Sequence, residues 1–345
     1  MNLTAPITFI SNAANYIANE INSSCCSKEK IAKIAQNAIK QAVTAAIQVG
    51  LLAAKFVVVP IEVAAIAVVV TLMTISLLAS LPFHSNVAEA KDITIYHKLS
   101  SVCEDLVELT KITLLFGLVR EEEEYRLADG LPNSPEYVVI RPDSPIRASA
   151  KPILYAPGYL DTPDSLREVC RTLANSHGGP VYIPKYRSLF QSIEEHAKDV
   201  ARVAQRVLKD SNKNELILAG HSMGGLVTGC AVLNNHLQNF DIKLWVTVGT
   251  PFKGDPLAPI GYGDCARDMH INSDLIKRFN GPSRLDELPA VHIYSLADQI
   301  VPPEFATREG RPNAKIYVCK KPHGHLSMRG HNELMDVMLE ATQKA

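Results

Sequence analysis

A serine flanked by glycines is the residue of this sequence best suited to chemistry. Residues 216–225 read LILAGHSMGG, so the pentapeptide GHSMG at 220–224 leaves an apolar, strand-like run and enters a helix-like one. Glycines two positions before and after the serine allow the sharp turn that lifts a hydroxyl above a sheet. The pattern predicts that Ser222 is a nucleophile. A helix beginning at Met223 would also direct its free backbone N–H groups towards an oxyanion beside that serine.

A serine nucleophile needs a base to take its proton and a carboxylate to orient the base. Asp298 lies in the loop LADQIVPP, directly after a strand-like run. Parallel sheets collect their functional groups at such strand ends, so we predict that Asp298 is the acid. Three further aspartates precede that strand and are less well placed: Asp264, Asp268 and Asp286.

Three histidines follow the next strand-like run, KIYVC, and all occupy a suitable place along the chain for the base. They are His323, His325 and His331. Position alone does not choose among them. His221, beside the serine, would point away from the cleft if the turn has its usual geometry, and we assign it a structural role.

Short apolar runs alternate with longer amphipathic stretches after residue 152. This alternation predicts a mainly parallel sheet with helices on both faces. An earlier strand is predicted at 137–140. The later predicted strands are 153–156, 181–184, 216–219, 244–248, 291–295 and 316–319, and the predicted helices are 164–175, 193–209, 223–237 and 333–342.

Prolines recur between residues 131 and 152, after an acidic run at 121–124 that we interpret as a solvated helix end. We therefore place a domain boundary here. The prediction is an N-terminal helical region over 1–130 and a catalytic domain over 131–345.

The N-terminal region contains a hydrophobic segment over 56–81, of which residues 63–81 carry no charge. As a helix, residues 63–81 would extend about 28 Å, close to the thickness of a bilayer core. The late start argues against a cleavable signal peptide. We predict membrane association through a single-span anchor; a helical hairpin with the apolar residues before it and burial within protein are the alternatives.

The charge balance and the cysteines narrow the classes of partner. Lysine plus arginine number 35 and aspartate plus glutamate number 36, so there is no strong field to attract nucleic acid. The 7 cysteines are scattered, and none are spaced as a zinc or redox pair. We predict no nucleic-acid partner, no metal and no disulfide framework.

The order Ser222, Asp298 and then a histidine resembles the α/β-hydrolase superfamily, and within it bacterial lipases and related esterases. The segments that carry the resemblance are YAPGYLDTPDSL, GHSMGG, VTVGTPFKGDPLA, INSDLIKRFN, SLADQIVPP and HGHLSM. It extends from about residue 152 to the C-terminus and implies an α/β-hydrolase fold.

The resemblance also assigns roles within the site. It implies His325 as the base, because in this superfamily the base precedes a small and apolar stretch that enters the last helix. It implies an oxyanion hole formed by the backbone N–H groups of Tyr159 and Met223. One departure is visible: lipases usually carry a histidine before the first of these glycines, whereas here Ala156 and Pro157 precede Gly158.

These observations together predict a serine hydrolase that cleaves carboxylic, lipid esters through an acyl-enzyme and needs no cofactor. Two alternatives remain open: an acyltransferase with the same triad, and a non-catalytic membrane-bound interaction protein with this fold. The residues between 248 and 291 are numerous enough to shape an acyl pocket or a lid. The sequence predicts no oligomeric state.

Overall fold

The computed structural model describes residues 101, 105, 136–211, 213–308, 310–321, 323–330 and 336–341. Within them, seven strands form one sheet in the order β1-β3-β2-β4-β5-β6-β7. Strand β1 is antiparallel to β3, and all the other neighbours are parallel, which confirms the mainly parallel sheet. The strands are β1 Tyr137–Ile140, β2 Ile153–Ala156, β3 Val181–Pro184, β4 Glu215–His221, β5 Asp241–Val248, β6 Ala290–Tyr294 and β7 Ala314–Val318.

Helices cover both faces of the sheet, as the alternating pattern predicts. Helices α2 to α5 pack into the core on one face, whereas α1 and the helical residues 336–341 pack on the other. The helices are α1 Arg167–His177, α2 Ile193–Ser211, α3 Met223–Leu233, α4 Asp264–Asp268, α5 Asp274–Asn280, α6 Pro303–Ala306 and α7 His325–Met328.

Helix α3 lies in the centre of the molecule and carries Ser222 at its N-terminus. Its residues 223–232 are all buried, as expected for a helix that is apolar on every side. The fully buried Trp245 on β5 packs beside it and donates its indole N–H to Thr228 Oγ1 at 3.0 Å. Because α3 is enclosed by the core, the residue at its N-terminus has a fixed position.

Several boundaries differ from the predicted ones. The helix predicted over 223–237 ends at Leu233, because the chain turns there and Asn235 adopts a left-handed conformation with φ of 57°. Strand β5 begins at Asp241, before the predicted 244. The segment between β5 and β6 contains α4 and α5, with Ser273 Oγ capping α5 through Ile276 N at 3.1 Å.

The hydrophobic segment over 56–81 and the domain boundary at 130–131 lie outside the described residues. Within the part of the chain that is described, none of the helices combines the length and the apolar character needed to cross a membrane.

Gly224 permits the close approach of helix α3 to strand β2, and we predict that Gly224→Ala is strongly destabilising. A Cβ at this position would lie 2.1 Å from the carbonyl oxygen of Ala156. We expect the free energy of unfolding in urea to fall by about 2 kcal/mol or more. Gly281→Ala is the control, because its Cβ would meet nothing nearer than Lys277 O at 3.6 Å. Equal stability of the two variants would contradict the importance of this contact.

Candidate active site

Ser222 lies at the apex of the turn between β4 and α3 in a strained backbone conformation. Its φ of 55° and ψ of −127° are unusual for a residue with a side chain and cost about 1–3 kcal/mol. Hydrogen bonds to the end of β5 hold it there: its N–H donates to Val248 O at 2.8 Å, and its carbonyl accepts from Thr250 Oγ1 at 3.1 Å. The neighbouring strand therefore maintains the turn that exposes the hydroxyl to the pocket.

His325 and Asp298 form a buried hydrogen-bonded pair. The imidazole Nδ1 lies 2.6 Å from Asp298 Oδ2, and the other carboxylate oxygen accepts from the backbone N–H groups of Ile300 at 3.0 Å and Val301 at 2.8 Å. When Nδ1–H is donated to the carboxylate, the lone pair is on Nε2. Among the described residues, this Nε2 has no hydrogen-bond partner.

Burial lowers the pKa of His325 below its ordinary value, because desolvation disfavours the charged imidazolium. The ring is therefore neutral at neutral pH. A neutral imidazole with a free Nε2 is the form in which histidine accepts a proton.

Ser222 and His325 line one narrow pocket at the carboxyl ends of the parallel strands, of about 30 Å³. That space accommodates one or two water molecules. The other lining residues are Tyr159, Leu160, Asp161, His221, Asp255, Met269, Ile300 and Leu326. A larger open depression of about 430 Å³ lies at the opposite end of the sheet, beside residues 240–243, away from this chemistry.

The loop after β2 passes directly over the nucleophile. A Cβ on Gly158 would lie 3.3 Å from Ser222 Cβ, so the backbone of this loop is adjacent to the serine. Tyr186 donates its hydroxyl to Pro157 O at 2.9 Å. Tyr159 donates its hydroxyl to Tyr262 O at 2.9 Å and accepts from Tyr262 N at 2.8 Å. The two tyrosine hydroxyls thus anchor the loop that lacks the usual lipase histidine.

Asp161 joins the loop after β2 to the segment that carries the base. One of its oxygens pairs with Arg329 and accepts from Ser165 Oγ at 2.9 Å. Burial alone would raise the pKa of Asp161, but the Arg329 charge and the neighbouring His221 outweigh it and hold the pKa well below its ordinary value. Asp161 is therefore an ionised carboxylate in the protein interior.

His221 is fully buried beside the base. Its Nε2 donates to the carbonyl oxygen of His325 at 2.8 Å, and its Nδ1 lies 3.7 Å from Asp161 Oδ2. Its contacts are those of a structural residue that supports His325.

Asp255 is a further titratable group in the pocket. Burial raises its pKa to about 7, even though its Oδ1 accepts from Leu257 N at 2.8 Å. The pocket therefore contains a carboxyl group that changes protonation near neutral pH.

The remaining candidates lie elsewhere or have other partners. His323 is buried and its backbone N–H donates to Ser295 Oγ at 2.9 Å, but its side chain is not among those lining the pocket. His331 lies outside the described residues. The three alternative aspartates bind other groups: Asp264 pairs with Arg267, Asp268 accepts from Ile193 N at 2.7 Å, and Asp286 pairs with Arg308 and Arg311.

Several residues of the site were not singled out from the sequence. Asp161, Thr250 and Asp255 fall inside segments that carry the superfamily resemblance, and Arg329 directly follows HGHLSM. Position within or directly after these segments was the signal by which these four residues could have been found. The structure adds one residue for which no such signal exists, Asp105, which contacts the base segment from 220 positions away.

We predict that Arg329→Met destabilises the protein by about 3–5 kcal/mol, because it leaves the Asp161 carboxylate buried and unpaired. The double variant Arg329→Met with Asp161→Asn should recover part of this loss. Urea unfolding measures both. Because the pKa of Asp161 is lowered in the folded protein, its contribution to the free energy of unfolding is fully present above about pH 3.8. This contribution is lost as the pH falls through the lower folded-state pKa. Equal stability of both variants and wild type at neutral pH would contradict this account.

Comparisons with known proteins bear on the fold. Residues 187–305, less than half of the chain, match the family model of the PGAP1-like alpha/beta domain. No curated protein sequence is significantly similar to this chain.

Solved structures are similar to the domain as a whole. The mature form of the Bacillus licheniformis lipase BlEst2 is 14% identical with a TM-score of 0.51, and the match covers 61% of this chain and 99% of that chain. The propeptide form gives the same identity and TM-score, but the match covers only 54% of its length. With the strand order and the turn at Ser222, these similarities identify the described domain as one with the α/β-hydrolase fold.

Proposed function

We propose that the protein is a serine hydrolase that cleaves carboxylic esters through an acyl-enzyme intermediate. Ser222 is the nucleophile, His325 the general base and Asp298 the acid that orients it. The observation that carries this proposal is the buried bond between His325 and Asp298, which leaves Nε2 free in the pocket of Ser222. The α/β-hydrolase fold and the lipase neighbours support ester hydrolysis in general.

The reaction begins with attack of Ser222 Oγ on the ester carbonyl while His325 Nε2 accepts the hydroxyl proton. The Asp298 carboxylate stabilises the imidazolium that forms. Collapse of the tetrahedral intermediate breaks the bond to the alcohol, which leaves with the proton from Nε2. Water then attacks the acyl-enzyme by the same route and releases the carboxylic acid.

The backbone N–H groups of Tyr159 and Met223 are the proposed donors to the oxyanion. Met223 is the first residue of α3, so its N–H has no acceptor within the helix. Tyr159 follows Gly158, whose backbone lies beside Ser222. Because hydrogen bonds and the core fix both segments, the donors need little reorganisation during the reaction, which is what oxyanion stabilisation requires.

Lipid esters are the proposed substrates. The pocket rim is rich in apolar side chains, including Leu160, Met269, Ile300 and Leu326, which suit an acyl chain. The hydrophobic segment over 56–81 supports the further proposal that the protein associates with a membrane, where such esters occur. The segment between β5 and β6, which contributes Asp255 and Met269 to the lining, is a candidate for the movement that admits them.

We predict that Ser222→Ala and His325→Ala each reduce the hydrolysis of p-nitrophenyl esters, from C2 to C16, by at least about a thousandfold. The nucleophile and its base act as one unit, so the loss should be similar for both. Rates should be measured on the purified full chain, and the chain-length profile of wild type then defines the acyl preference.

His236→Ala is the matched control, because this histidine follows the C-terminus of α3, at the opposite end of that helix from Ser222. Its activity should equal that of wild type. Folded wild type that is as inactive as the variants on every ester would contradict ester hydrolysis. Transfer of the acyl group to an added alcohol in preference to water would identify an acyltransferase instead.

A further inference from the structure

Two residues from the region before the sheet, Ser101 and Asp105, are buried against the loops that carry Asp298 and His325. Both are helical and have no exposed surface. Ser101 Oγ donates to the carbonyl oxygen of Ala297 at 2.7 Å, immediately before Asp298. Ser101 therefore touches the acid loop, although it precedes the predicted catalytic domain in the sequence.

The Asp105 carboxylate accepts hydrogen bonds from three consecutive backbone N–H groups of α7. Its Oδ2 lies 2.6 Å from His325 N, and its Oδ1 lies 2.7 Å from Leu326 N and 3.3 Å from Ser327 N. The first N–H groups of a helix have no acceptor within the helix, and a side chain at the N-cap position often binds them. Here the N-cap is Gly324, which has no side chain, so Asp105 supplies the acceptor.

The fit between the two segments is tight. A Cβ on Gly324 would lie 2.3 Å from Ser101 O and 2.4 Å from Asp105 Oδ1. Only glycine allows the base segment to approach Ser101 and Asp105 so closely.

Several charged and titratable groups surround the contact between Asp105 and α7. His325 also faces Asp298 through its side chain, and Arg329, Asp161 and His221 lie on its other side. Burial, and after it the Asp298 carboxylate, raises the pKa of Asp105, and the three N–H donors oppose that rise.

We propose that Asp105 is a positioning residue for the reaction: by binding the first N–H groups of α7, it fixes the backbone of His325 and so holds the imidazole against Asp298, in the pocket that Ser222 lines. This inference rests on the proposed role of His325 as base. It extends the catalytic unit to a residue before 131, so the segment preceding the predicted boundary contributes to the active site.

The test compares Asp105→Asn with Asp286→Asn in the full-length chain. Asparagine keeps one acceptor oxygen, but its amide nitrogen cannot accept from His325 N–H. We expect the rate of Ser222 labelling by a fluorophosphonate probe, and kcat for p-nitrophenyl butyrate, to fall about 10- to 100-fold, because small misplacements of a catalytic group have effects of this size. KM should stay within about twofold.

Asp286→Asn is the matched control because Asp286 also binds a backbone N–H, that of Ser283 at 3.0 Å, and pairs with two arginines. It should lose stability without loss of labelling rate per folded molecule. Gly324→Ala disturbs the same contact from the other side and should reproduce the effect of Asp105→Asn.

The outcomes separate this inference from the proposed function. If wild type is labelled at Ser222 but hydrolyses no ester, the proposed function fails, and the labelling rates still measure the role of Asp105. Labelling of Asp105→Asn at the wild-type rate would overturn the inference. The inference would also be overturned if the labelling rates of Asp105→Asn and Gly324→Ala fell only in proportion to the loss of folded protein measured by thermal unfolding. The contact would then be structural alone.

Discussion

The close approach of strand β2 to the beginning of helix α3 is the constraint on which the rest of the site depends. Gly224 makes it possible, because a Cβ there would meet Ala156 O, and Gly220 lets β4 come equally near, because a Cβ there would lie 2.4 Å from the backbone of Gly224. At this approach Ser222 has a positive φ of 55°, and the backbone of Gly158 lies beside it. The nucleophile and the proposed oxyanion donors thus lie at one packing contact.

Buried polar groups then determine the position of His325, the proposed base. Asp298, Asp161 and Asp105 are all buried carboxylates within reach of the segment around His325. Each buried carboxylate is costly unless its oxygens are bound, and each here binds backbone N–H groups, an imidazole or a guanidinium. Such a network is sensitive to the loss of any member, which explains why residues that never touch substrate matter to the proposed chemistry.

Much of the fold was predictable from local sequence patterns. Strands β1, β2 and β3 have the predicted bounds, and the parallel arrangement follows from the alternation of strands and helices. The turn at Ser222 follows from its motif, whereas His325 was chosen as the partner of Asp298 only through the resemblance to the superfamily. The end of α3 was predicted too late, because its apolar pattern continues to Leu237 while the backbone turns at Asn235.

What the sequence could not predict are contacts between distant segments and the direction of single side chains. Asp105 meets His325 from 220 residues away, and Arg329 meets Asp161 from 168. No periodicity or spacing encodes such pairs, since they arise only when the sheet brings the loops together. The partner of the His221 side chain is a further example, because it depends on the base segment packed against it.

The most direct test of the central claim is to trap the acyl-enzyme. Wild-type protein quenched in acid during turnover of a p-nitrophenyl ester should gain the mass of one acyl group, on the peptide that contains Ser222. Asp298→Asn should form this adduct far more slowly, because its imidazole is no longer held as the base. An ester consumed without any adduct, or an adduct on another residue, would contradict catalysis through Ser222.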